Sequence, residues 1–128
     1  MQMYPGYTTS VGIIAPYQAQ RRAIRDIFSM HFGTRVTHAV EISTVDGFQG
    51  REKDIVIFSC VRAPPVGPEG GGGHSSASPG IGFLREPERL NVAITRAKFG
   101  LWIVGHGECL SNADSEWRNL VNYMTSNR

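Results

Sequence analysis

The segment Asp54–Val61, reading Asp-Ile-Val-Ile-Phe-Ser-Cys-Val, constrains the fold more than any other part of the chain. It is almost continuously apolar and β-branched, the composition of a strand covered on both faces rather than on one. Such strands belong to parallel sheets enclosed by helices. Three shorter runs supply companions. Val11–Ala15 is apolar and stops at Pro16, which removes a ladder donor. Val40–Val45 is a second strand, and Leu101–Val104, closed by Gly105, is another.

Between the strands the period changes to that of a helix. From Gln18, the residues Ala19, Ala23, Ile24, Ile27 and Phe28 share one face, while Arg21, Arg22 and Arg25 project elsewhere. Gly33 is expected to end that helix. Pro87 suits a first helical position after Glu86. Leu90, Ala93, Ile94 and Ala97 then form an apolar face, and Gly100 closes the helix. A last helix is expected from Asp114 to Met124, burying Trp117, Leu120, Val121 and Met124. Strands alternating with helices predict an α/β fold with a mainly parallel sheet flanked by helices.

Pro64–Gly80 breaks the pattern with four consecutive glycines among prolines and serines. It reads as a surface insertion into one domain spanning residues 1–128. It is not a phosphate cradle, because no strand and helix N-terminus frame its glycines. The net charge of +2 is too small to argue for nucleic acid by itself. No apolar run is long enough to span a bilayer, and Met1–Ser10 has no signal-peptide pattern, so no membrane role and an intracellular protein are expected. Cys60 and Cys109 are the only cysteines, and read as two buried thiols rather than a disulfide. Without a CxxC or a His/Cys cluster, no metal site is expected.

Two segments carry chemistry. In Thr44–Glu52 a strand gives way to a glycine-punctuated polar turn, where Asp46 is placed to cap the turn and Gly47 and Gly50 permit close backbone approach. Open α/β sheets bind ligands beyond the carboxyl ends of their strands. Glu52 there can accept hydrogen bonds from a sugar hydroxyl, or be a solvated turn residue alongside Lys53. In the second segment, Arg96 is expected on the helix, pointing with Arg89 away from the apolar stripe. Thr95 and Ala97 are small, so a phosphate or a neighbouring domain could reach the guanidinium. The plain alternative is a solvated helix face.

Three runs in order resemble the motifs of one family. Gly12-Ile13-Ile14-Ala15-Pro16-Tyr17-Gln18-Ala19-Gln20 is similar to motif IV of superfamily 1 helicases, Thr44–Asp54 to motif V, and Arg89–Lys98 to motif VI. Ser59-Cys60-Val61-Arg62-Ala63 and Ile81-Gly82-Phe83-Leu84 extend the likeness to the Upf1-like group, which includes the nonsense-mediated decay helicase and senataxin. The resemblance covers Val11 to about Met124.

It implies a RecA-like three-layer fold, and that this is the second of two such domains, a fragment of a larger protein. ATP would lie in the cleft between the domains and single-stranded RNA or DNA across their top. Arg96 would be the catalytic arginine at the γ-phosphate, and Glu52 would hold the ribose with Gly50 giving close approach. Thr44, Val45 and Asp46, with Pro16 and Tyr17, would line the nucleic-acid track. ATP and Mg2+ would be the cofactors, with the Mg2+ ligands outside this chain, since it has no GxxxxGK[ST] loop. The partners would be the nucleic acid and the first RecA-like domain, and the chain alone would be inactive. The role implied is ATP-dependent unwinding in RNA quality control such as nonsense-mediated decay, in the cytoplasm or nucleus. A second expectation, from a different class, is a stand-alone binding module for nucleic acid or protein that kept the scaffold without catalysis.

Overall fold

The computed structural model describes residues 9–60 and 86–127. The 64–80 insertion, the Ile81–Leu84 run, Val61–Ala63 and Met1–Thr8 lie outside the described residues. Among the described residues four strands form one sheet: β1 (Val11–Ala15), β2 (Val40–Thr44), β3 (Lys53–Ser59) and β4 (Ala97–Val104). Their order is β2-β1-β3-β4 and every pairing is parallel, as an α/β RecA-like fold requires. The helices are α1 (Gln18–Ala39), α2 (Pro87–Ile94), α3 (Gly107–Ala113) and α4 (Ser115–Ser126), with one 3-10 turn over Asp46–Phe48. No helix among the described residues is long and apolar enough to cross a membrane.

Register fixes what each face of the sheet covers. Gly12 lies beside Val56 and Ile14 beside Phe58, so these four share a face. On it, Val56, Phe58, Phe48, Leu90, Ala93, Leu110 and Trp117 form the sealed core. The Phe58 and Trp117 rings lie 6.1 Å apart. The opposite face carries Ile13, Ile42 and Ile57, and α1 packs there against β1 and β2. Along β3 buried and half-buried residues alternate, so the near-continuous apolar run reflects full cover on one face and partial cover on the other.

Gly12 is a glycine for a packing reason. A Cβ there would lie 2.4 Å from Cζ of the fully buried Phe48. Gly12→Ala is therefore expected to destabilise the chain by about 1–3 kcal/mol in urea unfolding, with part of the loss recovered in a Gly12→Ala/Phe48→Leu double variant. A cost below about 0.5 kcal/mol, the scale of an ordinary surface change, would show that Phe48 gives way freely.

Several expectations need correction. Gly33 does break the first helix (φ 76, ψ 168), a conformation essentially reserved for glycine, but helix resumes to Ala39. The Thr37 hydroxyl donates to the Gly33 carbonyl at 2.9 Å, and the Ser29 hydroxyl donates to Thr37 Oγ1 at 3.3 Å across the break, tying the two stretches together. The expected apolar face of α1 is only half covered: Ile24 and Phe28 are half-buried, whereas Ala19, Ala23 and Ile27 are exposed. The stretch of α1 before Gly33, 15 residues, rises about 22 Å, whereas strands of five residues span about 16 Å, so it outruns the sheet beneath it.

The helix after Pro87 ends at Ile94, and Ala97 and Gly100 belong to β4. Asp114 caps α4, accepting from the Trp117 amide at 2.9 Å, while Leu120, Val121 and Met124 are half-buried beside the sealed Trp117. The short α3 before it was not expected from the sequence. Both cysteines are free thiols, Cys60 buried and Cys109 half-buried. Burial pushes the Cys60 thiol up to about 12.

Candidate functional site

The expected site residues fall into two groups at opposite ends of the sheet, separated by roughly 20 Å along β3. At the carboxyl ends, Ala15 pairs with Thr44, which places Pro16 and Tyr17 beside Val45 and Asp46. Gln20 sits at the same end: its Nε2 donates to Ser59 Oγ at 2.8 Å, fastening the start of α1 to the end of β3.

This group differs in detail from the expectation. Pro16 and Val45 are buried, Val45 at 1% exposure, so each can offer a ligand only its backbone. Tyr17 and Thr44 are half-buried and Asp46 is exposed. Asp46 does not cap the turn. The Thr44 hydroxyl does, accepting from the Gly47 amide at 3.3 Å. Asp46 instead faces Arg89 on α2, with Oδ1 3.5 Å from Nε, while Glu86 binds the same guanidinium at 2.8 Å. Arg89 is thus turned towards motif V and does not run parallel with Arg96.

The second group lies at the amino ends of β3 and β4. Glu52 immediately precedes β3 and is exposed, with no hydrogen bond or ion pair among the described residues. The carboxyl-end location inferred from the sheet rule does not hold for it. Gly50 has φ +72, and a Cβ there would meet nothing within 4 Å, so glycine serves the left-handed backbone and leaves open space. Arg96 lies in the turn between α2 and β4, not on the helix. Its backbone carbonyl accepts from the Lys53 amide at 3.0 Å, which sets it one residue from Glu52 across the ladder. Its side chain is anchored by Nε to the Val92 carbonyl (3.2 Å) and by Nη2 to Thr95 Oγ1 (3.0 Å). A guanidinium has five N–H donors, so three remain to offer.

The two groups are joined twice over. The 3-10 turn carries the chain from Asp46 towards Glu52 across the core face, with Phe48 driven into the sheet above Gly12. In parallel, α2 runs from Arg89, at Asp46, to the turn holding Arg96. A displacement at either end therefore has a short, packed route to the other. Beside this route, Lys53 and Arg51 both bind Glu41, with Lys53 Nζ at 2.8 Å. Burial alone would raise the Glu41 carboxyl, but hydrogen bonds from Lys53 and Arg51 prevail and hold it below the usual carboxylate range.

Sequence reasoning missed the clamp at the start of β3. Asp54, 6% exposed, accepts from the Ser10 amide (2.7 Å) and hydroxyl (2.8 Å). It missed the Gln20 strut as well. An acid opening an otherwise apolar strand, and a glutamine set among helix residues at the end of motif IV, were the available signals.

Similarity to known proteins spans the same segments. Residues 1–108 match the family described as AAA domain. The Saccharomyces cerevisiae helicase SEN1 is 37% identical over 115 residues, covering 90% of this chain and 5% of its own length. The Arabidopsis thaliana probable helicase MAGATAMA 3 is 45% identical over 121 residues, covering 93% and 13%. The Drosophila melanogaster regulator of nonsense transcripts 1 homolog is 44% identical over 117 residues, covering 88% and 9%. The chain spans only 5–13% of the length of these three curated relatives.

Proposed function

This chain belongs to the AAA domain family as an Upf1-like helicase domain, and from that premise we propose that it is the second RecA-like motor domain of an ATP-dependent RNA or DNA helicase. The observation that carries the reading is the pairing of strand ends. Half-buried Tyr17 and Thr44 and exposed Asp46 stand at the carboxyl ends of β1 and β2, and Glu52 stands beside Arg96 at the amino ends of β3 and β4, with α2 and the 3-10 turn between them.

In this reading the amino-end group forms one wall of an ATP cleft completed by a first RecA-like domain outside this chain. Its residues fit a nucleotide: Glu52 is an exposed acceptor for ribose hydroxyls, Gly50 borders open space, and Arg96 has three donors left for phosphate oxygens. Bound Mg2+ supplies charge neutralisation at the phosphates and would be held by residues outside this chain. Tyr17, Thr44 and Asp46 face the nucleic acid with side chains, and Pro16 and Val45 with backbone. Motion of the nucleic acid at Asp46 reaches Arg96 through Arg89 and α2. The chain alone lacks the phosphate loop and would not hydrolyse ATP. The name of the Drosophila melanogaster relative, regulator of nonsense transcripts 1 homolog, supports a role in RNA quality control such as nonsense-mediated decay.

Glu52 gives a direct test in the intact protein. Glu52→Ala is expected to raise the KM for ATP about tenfold, the cost of one charge-assisted hydrogen bond to a sugar hydroxyl. Glu88→Ala, a change at an exposed acid on α2, should leave it unchanged. Equal effects of the two would remove Glu52 from the nucleotide site.

A further inference from the structure

The outer edge of the sheet holds a feature that this reading does not use. A cleft of about 570 Å³ wraps β2, lined on one side by Arg21, Arg25 and His38 and on the other by Arg51 and Lys53. Among the described residues Glu41 is the one acid in the lining, and Arg51 and Lys53 already engage it. Arg21 and Arg25 sit one helical turn apart on α1, and neither makes an ion pair among the described residues. The Ser43 hydroxyl adds to the wall, while Ser29 and Thr37, also in the lining, spend their hydroxyl protons on each other and on the Gly33 carbonyl.

We propose that this cleft binds the phosphate backbone of single-stranded nucleic acid, as an extension of the track that begins at Thr44–Asp46. The proposal rests on the reading of the chain as a nucleic-acid motor domain. Continuity supports it. Gln20, next to Arg21, is fastened to Ser59 at the carboxyl end of the sheet, and β2 leads from the cleft straight into Thr44 and Asp46. A strand leaving the track therefore meets Arg21 first and Arg25 one turn further on. The chemistry favours a ligand whose charge lies along its backbone. Guanidinium donors match phosphate oxygens, whereas an acidic peptide added to the edge of β2, which no described residue pairs, would need apolar pockets for alternate side chains. The cleft is rimmed instead by cations and hydroxyls.

The test measures binding of a fluorescein-labelled oligouridylate of about twenty nucleotides, longer than a single short track covers, to the intact protein over a range of salt. Neutralising two phosphate contacts in Arg21→Gln/Arg25→Gln should weaken binding about tenfold and lower the slope of log K against log salt by about 1.4, at about 0.7 per contact. Arg22→Gln removes one unit of charge from an exposed position on α1 outside the cleft and should leave both quantities unchanged. Equal losses for an Arg22→Gln/Arg35→Gln control and the cleft variant would overturn the proposal, as non-specific attraction. Wild-type binding with an unchanged slope in the cleft variant would overturn it while leaving the motor-domain reading intact. Failure of the wild type to bind oligouridylate would overturn both. Displacement of the RNA by polyglutamate at a lower concentration than by unlabelled oligouridylate would overturn it in favour of an acidic peptide.

Discussion

Arg96→Ala in the intact protein is expected to lower kcat for ATP hydrolysis about a thousandfold, at the lower end of what arginine fingers contribute, while the unfolding midpoint of the chain shifts little. The geometry accounts for the small stability effect, and the proposed role for the catalytic one. Arg96 is half-buried in a turn and its side-chain bonds go to Val92 and Thr95, at the C-terminal end of α2 where helix carbonyls lack intrahelical donors. Losing those two bonds costs about 1–2 kcal/mol of local order. In the proposed role the guanidinium stands opposite a phosphate whose negative charge grows in the transition state, and its loss would cost about 4 kcal/mol of barrier. Arg96→Lys should recover little, because an ammonium that keeps the Val92 contact cannot also present a planar fork to phosphate oxygens. A fall of less than tenfold in Arg96→Ala, with the fold intact by circular dichroism, would reject the assignment.

Trp117→Ala is expected to produce the largest loss of stability, about 3–5 kcal/mol in urea unfolding. Trp117 is fully buried against Phe58 and is the largest enclosed side chain in the core. It also holds α4 to the sheet beside β4, and its own amide is the one that Asp114 caps. Domains of this size have a total stability of about 5–15 kcal/mol, so such a loss would leave a marginal chain. Arg118→Ala, a change at the exposed neighbour, serves as the comparison and should cost under about 1 kcal/mol. Similar costs for the two would mean that α4 is not clamped through Trp117.

The parallel sheet was legible because the signal for it is local. The run from Asp54 is too apolar and β-branched for anything but an enclosed strand, and α1, α2 and α4, though not α3, announce themselves by period or by a terminal Pro or Asp. The motif segments were legible as residues and as a family likeness. What they touch was not. Arg96 was expected on a helix because Ala97 continues the helical spacing, but the Thr95 hydroxyl bonds back to Asn91 O and Val92 O, and pairing with Lys53 starts a strand at Ala97. The extra residue that β4 takes up between Ala97 and Gly100 has no mark in the sequence at all.

By itself, then, the order of apolar runs and helical periods determined an α/β layering, and three spaced motifs determined the family. Both depend on neighbours in sequence, where steric and hydrogen-bonding preferences act within a few residues. Only the tertiary structure decided that Asp46 meets Arg89, that Lys53 lies beside Arg96 so that Glu52 shares its end of the sheet, and that Val45 and Pro16 are buried. Those are contacts across 40 residues or so of chain, set by strand register and by which glycine lets Phe48 into the core. Register is a property of the assembled sheet, since a slip of one residue turns every side chain to the other face and only packing on both faces selects among the alternatives.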